Sequence, residues 1–145
     1  MKNDRNRAQV PTMAMVRQRI RGYQQDCDAV ALEMNETAAN FKTTFRMPCP
    51  VYLSVQKLSS GSMYLRWRQA GVRGKQPYIL MEGQPGTVLL STMTPEVRKT
   101  YFHFHHQVIY LNSQHALLLA EQRRWIFYLQ QRQVLEQLKN QFKAG

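Results

Sequence analysis

Gly61-Ser62-Met63-Tyr64-Leu65-Arg66-Trp67-Arg68-Gln69-Ala70-Gly71 is the stretch on which the fold turns. Glycines bound it at both ends, and its interior is rich in residues that suit a half-buried strand. Successive side chains of a strand point to opposite faces. Met63, Leu65 and Trp67 therefore share one side, and Tyr64, Arg66 and Arg68 share the other. The first face is expected to be core. The second, aromatic and cationic, is the candidate working surface.

Working outward, Val51-Tyr52-Leu53-Ser54-Val55-Gln56 alternates in the same way, with Val51, Leu53 and Val55 inward. Ser59-Ser60-Gly61 turns the chain, residues 70–76 turn it again with Gly71 and Gly74, and Tyr78-Ile79-Leu80-Met81 reads as a third short strand. These segments predict a three-stranded antiparallel meander. After Gly83, Pro85 and Gly86, residues 87–93 fit either a fourth strand or a short helical turn, because a brief apolar run suits both.

Helices flank the sheet. Over residues 12–45, Val16, Ile20, Tyr23, Cys27, Val30, Met34, Ala38 and Phe41 recur at spacings of mostly three and four, which predicts an amphipathic helix with Thr12 as N-cap. Pro48 and Pro50 end it. Thr94-Pro95-Glu96 is a helix start, and neither Pro nor Gly follows until Gly145. Val97, Tyr101, Phe104, Val108, Leu111, Leu118, Trp125 and Leu129 form a heptad-like seam, which Leu135, Leu138 and Phe142 resume in a shifted phase. Unbroken, this helix would be about 72 Å long, so it should project, bend or pair with another chain. The expected fold class is α+β: an N-terminal helix, a small three- or four-stranded antiparallel sheet and a very long C-terminal helix. Residues 1–11 are expected to be a flexible basic arm carrying Lys2, Arg5 and Arg7, and residues 12–145 a single α+β domain.

Charge narrows the partner. Twenty Lys and Arg stand against nine Asp and Glu, a formal net charge of +11. Such a field favours polyanions. No acidic residue occurs between Glu36 and Glu82, whereas Lys42, Arg46, Lys57, Arg66, Arg68, Arg73 and Lys75 all do. The expected nucleic-acid contacts are Tyr64, Arg66 and Arg68 on the strand face, Arg73 and Lys75 in the following turn, and Arg17 and Arg21 near the start of the first helix, where the helix dipole disfavours positive charge. Arginine can hold a phosphate or read a guanine edge, and tyrosine can stack a base. The structural alternative is an ordinary solvated strand face.

Catalytic signatures are thin. His103-Phe104-His105 matches the His-hydrophobic-His element of metal-dependent nicking enzymes, with Tyr101, Tyr110 and Tyr128 as would-be nucleophiles. Two histidines separated by one residue share a metal ion only on a strand, and on a helix they diverge by about 200°. His103 with His106 lacks a third ligand nearby. A phosphate-cradling glycine loop, a nucleophile elbow and a CxxC pair are all absent from the sequence. No catalytic residue, metal or cofactor is therefore expected. Cys27 and Cys49, with no signal-like or membrane-spanning apolar run, suggest a cytoplasmic protein without a membrane partner.

The segments Gly61-Ser62-Met63-Tyr64-Leu65-Arg66-Trp67-Arg68 and Val108-Ile109-Tyr110-Leu111-Asn112-Ser113-Gln114 resemble small uncharacterised proteins encoded on integrative and conjugative elements. The broad layout is also similar to MobI-type mobilisation factors. The likeness covers residues 60–140 and carries Leu65, Arg66, Trp67, Arg68 and Asn112 as pattern positions. It implies a plasmid or integrated mobile element, with action near a transfer origin. The expected function is a non-catalytic accessory protein that binds nucleic acid, DNA foremost. The rival is a protein-interaction module whose long helix forms a coiled-coil homodimer or docks on a conjugation or replication enzyme.

Overall fold

The computed structural model describes residues 9–46, 49–71 and 77–143. Its order is α1 (Met13–Thr44), β1 (Val51–Lys57), β2 (Met63–Gln69), β3 (Tyr78–Ile79), α2 (Gln84–Ser91) and α3 (Pro95–Lys143). The α+β reading holds, with three strands in the order β1-β2-β3, both pairs antiparallel. Of the two readings of residues 87–93 the helical one holds in place of a fourth strand: residues 84–91 form a helix, with proline in the first turn. Gly86 explains why the loop before them closes so tightly, since a Cβ there would lie 2.6 Å from the Met81 Cα. Arg98 then binds the far end of α2, donating from Nε to the Leu90 carbonyl and from Nη2 to that of Met93, each at 2.9 Å.

The chain forms two compact units. One contains residues 27–117, and so the sheet, α2, the later part of α1 and the earlier part of α3. Its core follows the parity of the strands: Val51, Leu53, Leu65 and Trp67 are buried, and Met63 and Val55 are partly so. Phe41 of α1 sits at the centre, its ring 5.5 Å from Trp67, 5.5 Å from Tyr101 and 5.3 Å from Phe104, all edge-on. Trp67 and Tyr101 stack at 5.4 Å. Edge-to-face and offset pairs of this kind add to the stabilisation from burial alone. Tyr101 donates its buried hydroxyl to the Val51 carbonyl at 3.0 Å, and burial pushes its pKa up to about 12. The thiol of Cys49 is likewise raised by burial and donates to the Arg46 carbonyl; Cys27 and Cys49 are both unbridged.

The other unit contains residues up to 26 together with those from 118 onward. Thr12 caps α1 as expected, accepting from the Met15 amide at 3.2 Å. Gln122, buried on α3, donates to the Gln24 side chain at 2.9 Å and to the Ile20 carbonyl at 3.4 Å. Arg19 lies over the Trp125 ring at 4.8 Å, and Arg132 donates to the Pro11 carbonyl. The expected basic arm falls mainly on residues 1–8, outside the described residues.

The α3 seam continues through two polar positions, His115 and Gln122, both buried. Among its later apolar residues, Leu135, Leu138 and Phe142 are exposed, Phe142 at 80%. Among the described residues no helix is long and apolar enough to cross a membrane.

Candidate nucleic-acid interface

Register decides which side chains share the outer face of the sheet. Tyr52 pairs with Arg68, Ser54 with Arg66 and Gln56 with Tyr64 across β1 and β2, and Arg68 pairs with Tyr78 across β2 and β3. Directly opposed residues point to the same side. Tyr52, Arg68 and Tyr78 thus form one row spanning three strands, with Ser54–Arg66 and Gln56–Tyr64 as the next two rows. All seven are partly exposed, as a solvent face backed by a core requires.

The two arginines are held in place. The guanidinium of Arg66 lies 4.8 Å from the Tyr78 ring centre and that of Arg68 lies 4.7 Å from it, so one tyrosine carries two cations. Arg66 also donates from Nη1 to Gln56 Oε1 at 2.8 Å. A guanidinium has five N–H donors, so this bond leaves most of them for a ligand. Beside Arg66, the Ser54 hydroxyl is buried and makes no hydrogen bond among the described residues.

Behind the same strand is a polar chain that serves the fold. The indole Nε1 of Trp67 donates to His105 Nδ1 at 2.9 Å, and His105 Nε2 donates to the Glu82 carboxylate. The bond from His105 holds the Glu82 carboxyl below the usual carboxylate range, helped by a backbone hydrogen bond. Asn112 donates to the Leu65 carbonyl at 3.0 Å and accepts from the Leu65 amide at 2.8 Å. These two backbone groups face the side where a longer β3 would run; because β3 ends at Ile79, Asn112 supplies the pairing that residue 81 would have supplied. The expected third strand, residues 78–81, is correspondingly shortened to two residues. A pocket of about 210 Å³ opens at this edge, with Tyr64, Arg66, Glu82, His105 and Asn112 in its lining.

Of the residues expected to contact nucleic acid, Tyr64, Arg66 and Arg68 come together on one face. Arg17 and Arg21 are exposed on α1 in the unit that does not contain the sheet. Arg73 and Lys75 lie outside the described residues. Sequence reasoning missed Tyr78, Tyr52 and Gln56 as members of the face. Strand parity in β1 points Tyr52 and Gln56 away from the core, but only the register brings them beside the arginines.

His103, His105 and His106 lie on α3 as a helix, and His105 is engaged by Trp67 and Glu82. Among the described residues no group of three or more His, Cys, Asp or Glu is placed to hold a metal ion.

Compared with protein-family models, with curated proteins and with solved structures, the chain matches none.

Proposed function

We propose that this chain is a non-catalytic nucleic-acid-binding accessory protein, acting on DNA in a conjugative or other mobile element, with the outer face of the sheet as its binding surface. One observation carries the reading: Arg66 and Arg68 are both held against Tyr78 on a solvent face that also presents Tyr52 and Tyr64. Cations restrained before binding lose less side-chain freedom when they meet phosphate, so more of the contact energy appears as affinity. The net charge of +11 supports the same partner by drawing polyanions toward the protein. Cytoplasmic location belongs to this proposal, since the DNA of such an element is met there.

Electrophoretic mobility shift over a range of salt concentrations tests it. Affinity should fall linearly with salt on logarithmic axes, because each neutralised phosphate releases counterions. A salt-independent signal, or no binding at low salt, overturns the reading.

A second reading has its own support. Phe127, Val134, Leu135, Leu138 and Phe142 are exposed on the later part of α3, more apolar surface than one helix face ordinarily shows to water. It favours a protein-interaction module, either a coiled-coil homodimer or an adaptor to a conjugation or replication protein. Sedimentation of the parent and of a Leu135→Glu, Leu138→Glu variant tests it: a concentration-dependent dimer lost in the variant supports the homodimer, and a monomer in both removes it.

A further inference from the structure

We propose that the sheet face takes a single strand of nucleic acid with its bases stacked on tyrosine, and not a duplex; this rests on the nucleic-acid reading above. Each strand contributes one tyrosine to the face: Tyr52 from β1, Tyr64 from β2 and Tyr78 from β3, the last lying under the Arg66 and Arg68 guanidinia, so that there the guanidinium planes and not the ring would meet a base. Bases inside a duplex are already covered by their neighbours, whereas unpaired bases have open ring faces that aromatic side chains can cover. A platform of rings therefore gains from a single strand what it cannot gain from a duplex.

The arginines point the same way. Reading a guanine in the major groove requires a guanidinium that stands off the protein and meets O6 and N7 end-on. Arg66 and Arg68 instead lie back over Tyr78, at 4.8 and 4.7 Å from its ring centre, and Arg66 is tied to Gln56 as well. A guanidinium held over a ring can stack a base on its plane, and the N–H groups that Arg66 keeps beyond its bond to Gln56 can meet a phosphate.

Dimensions agree. At the Tyr52–Arg68–Tyr78 row the outer strands are about 10 Å apart before any side chain is added, against a major groove about 12 Å wide that suits a two-stranded ribbon. Tyr64 lies four residues along β2 from Arg68, about 13 Å away. The platform is thus large enough for about two or three bases, the number that a four-stranded RNA-binding sheet stacks.

Fluorescence anisotropy on the full chain, with labelled oligothymidylate of about 12 nucleotides, an abasic strand of the same charge, and a duplex of the same length, tests the proposal at one salt concentration. The thymidylate should bind about tenfold or more tightly than either the abasic strand or the duplex. Tyr64→Leu should weaken thymidylate binding about fivefold or more and leave abasic binding unchanged, while Tyr64→Phe should bind like the parent. Unchanged circular dichroism confirms that the variants are folded. A duplex bound as tightly as the single strand, or an abasic strand bound as tightly as thymidylate, overturns the stacking proposal and leaves the nucleic-acid reading standing. Binding of none of the three removes both.

Discussion

Trp67 donates its indole N–H to Nδ1 of His105 at 2.9 Å, across 38 residues of sequence, and thereby fixes which imidazole nitrogen carries the proton. Nδ1 must accept, so Nε2 bears the hydrogen and donates it to Glu82. A core tryptophan, a helix histidine and a loop carboxylate are joined in one chain that sets β2, α3 and the segment before α2 against one another.

The first prediction follows from that chain. Trp67, at 2% exposure, packs on Phe41 and Tyr101, so Trp67→Ala should destabilise the sheet-containing unit by about 3–5 kcal/mol. Trp67→Phe keeps much of the packing and loses the hydrogen bond, leaving His105 Nδ1 unpaired, at about 1–3 kcal/mol. Urea denaturation of the parent and both variants measures the two values, and a smaller loss for Ala than for Phe contradicts the assignment.

Asn112 should behave as a piece of the sheet. Replacing it with Ala strips the Leu65 amide and carbonyl of their partners, an expected loss of about 1–3 kcal/mol. Amide exchange at Leu65 should accelerate more than at Trp67, whose strand pairing with Ile79 remains. Asn112→Asp should not rescue, since a carboxylate cannot donate to the Leu65 carbonyl.

Stability should fall in mild acid because of His115. Burial lowers the pKa of this histidine despite the opposing pull of Asp28, so the unfolded chain binds its proton more readily than the folded one. Its effect is absent well above the unfolded pKa of about 6.5, and stability declines as pH drops through that value. Denaturation midpoints of the parent should decrease from pH 7.5 to 5.5 by more than those of His115→Leu. Parallel curves would show that His115 does not titrate differently in the two states. Glu82 adds a separate, lower window: its depressed carboxyl contributes above about pH 4.3, and that contribution is lost as pH falls through its folded value.

On the outer face, Arg66→Ala with Arg68→Ala should leave the fold intact, because neither side chain enters the core. If each arginine holds one phosphate, the salt dependence of single-strand binding should flatten by about 1.4, at 0.7 per contact. Each lost charge-assisted contact is worth about 1.5–3 kcal/mol of affinity. A variant that binds as the parent does, yet loses self-association, would assign these arginines to a protein interface.

What the sequence alone determined is local and periodic. Alternation in β1 and β2 separates Val51, Leu53, Leu65 and Trp67 from Tyr52, Tyr64, Arg66 and Arg68, and the burial of the first four follows it. The three-and-four spacing from Val16 to Phe41 and the Thr94-Pro95-Glu96 start likewise define α1 and α3. In both cases side chains a few residues apart are placed by backbone geometry alone. The tertiary structure decided matters that depend on distant pairing. Residues 84–91 became a helix because Gly86 packs on the Met81 backbone and Arg98 holds the far end. His115 and Gln122 look like polar interruptions of a seam, yet they are buried because α3 meets other elements there. Tyr78 joins Arg66 and Arg68 only through the β2–β3 register, and Asn112 reaches Leu65 across 47 residues. Periodicity states which face a side chain takes; only the closed fold states what stands opposite it.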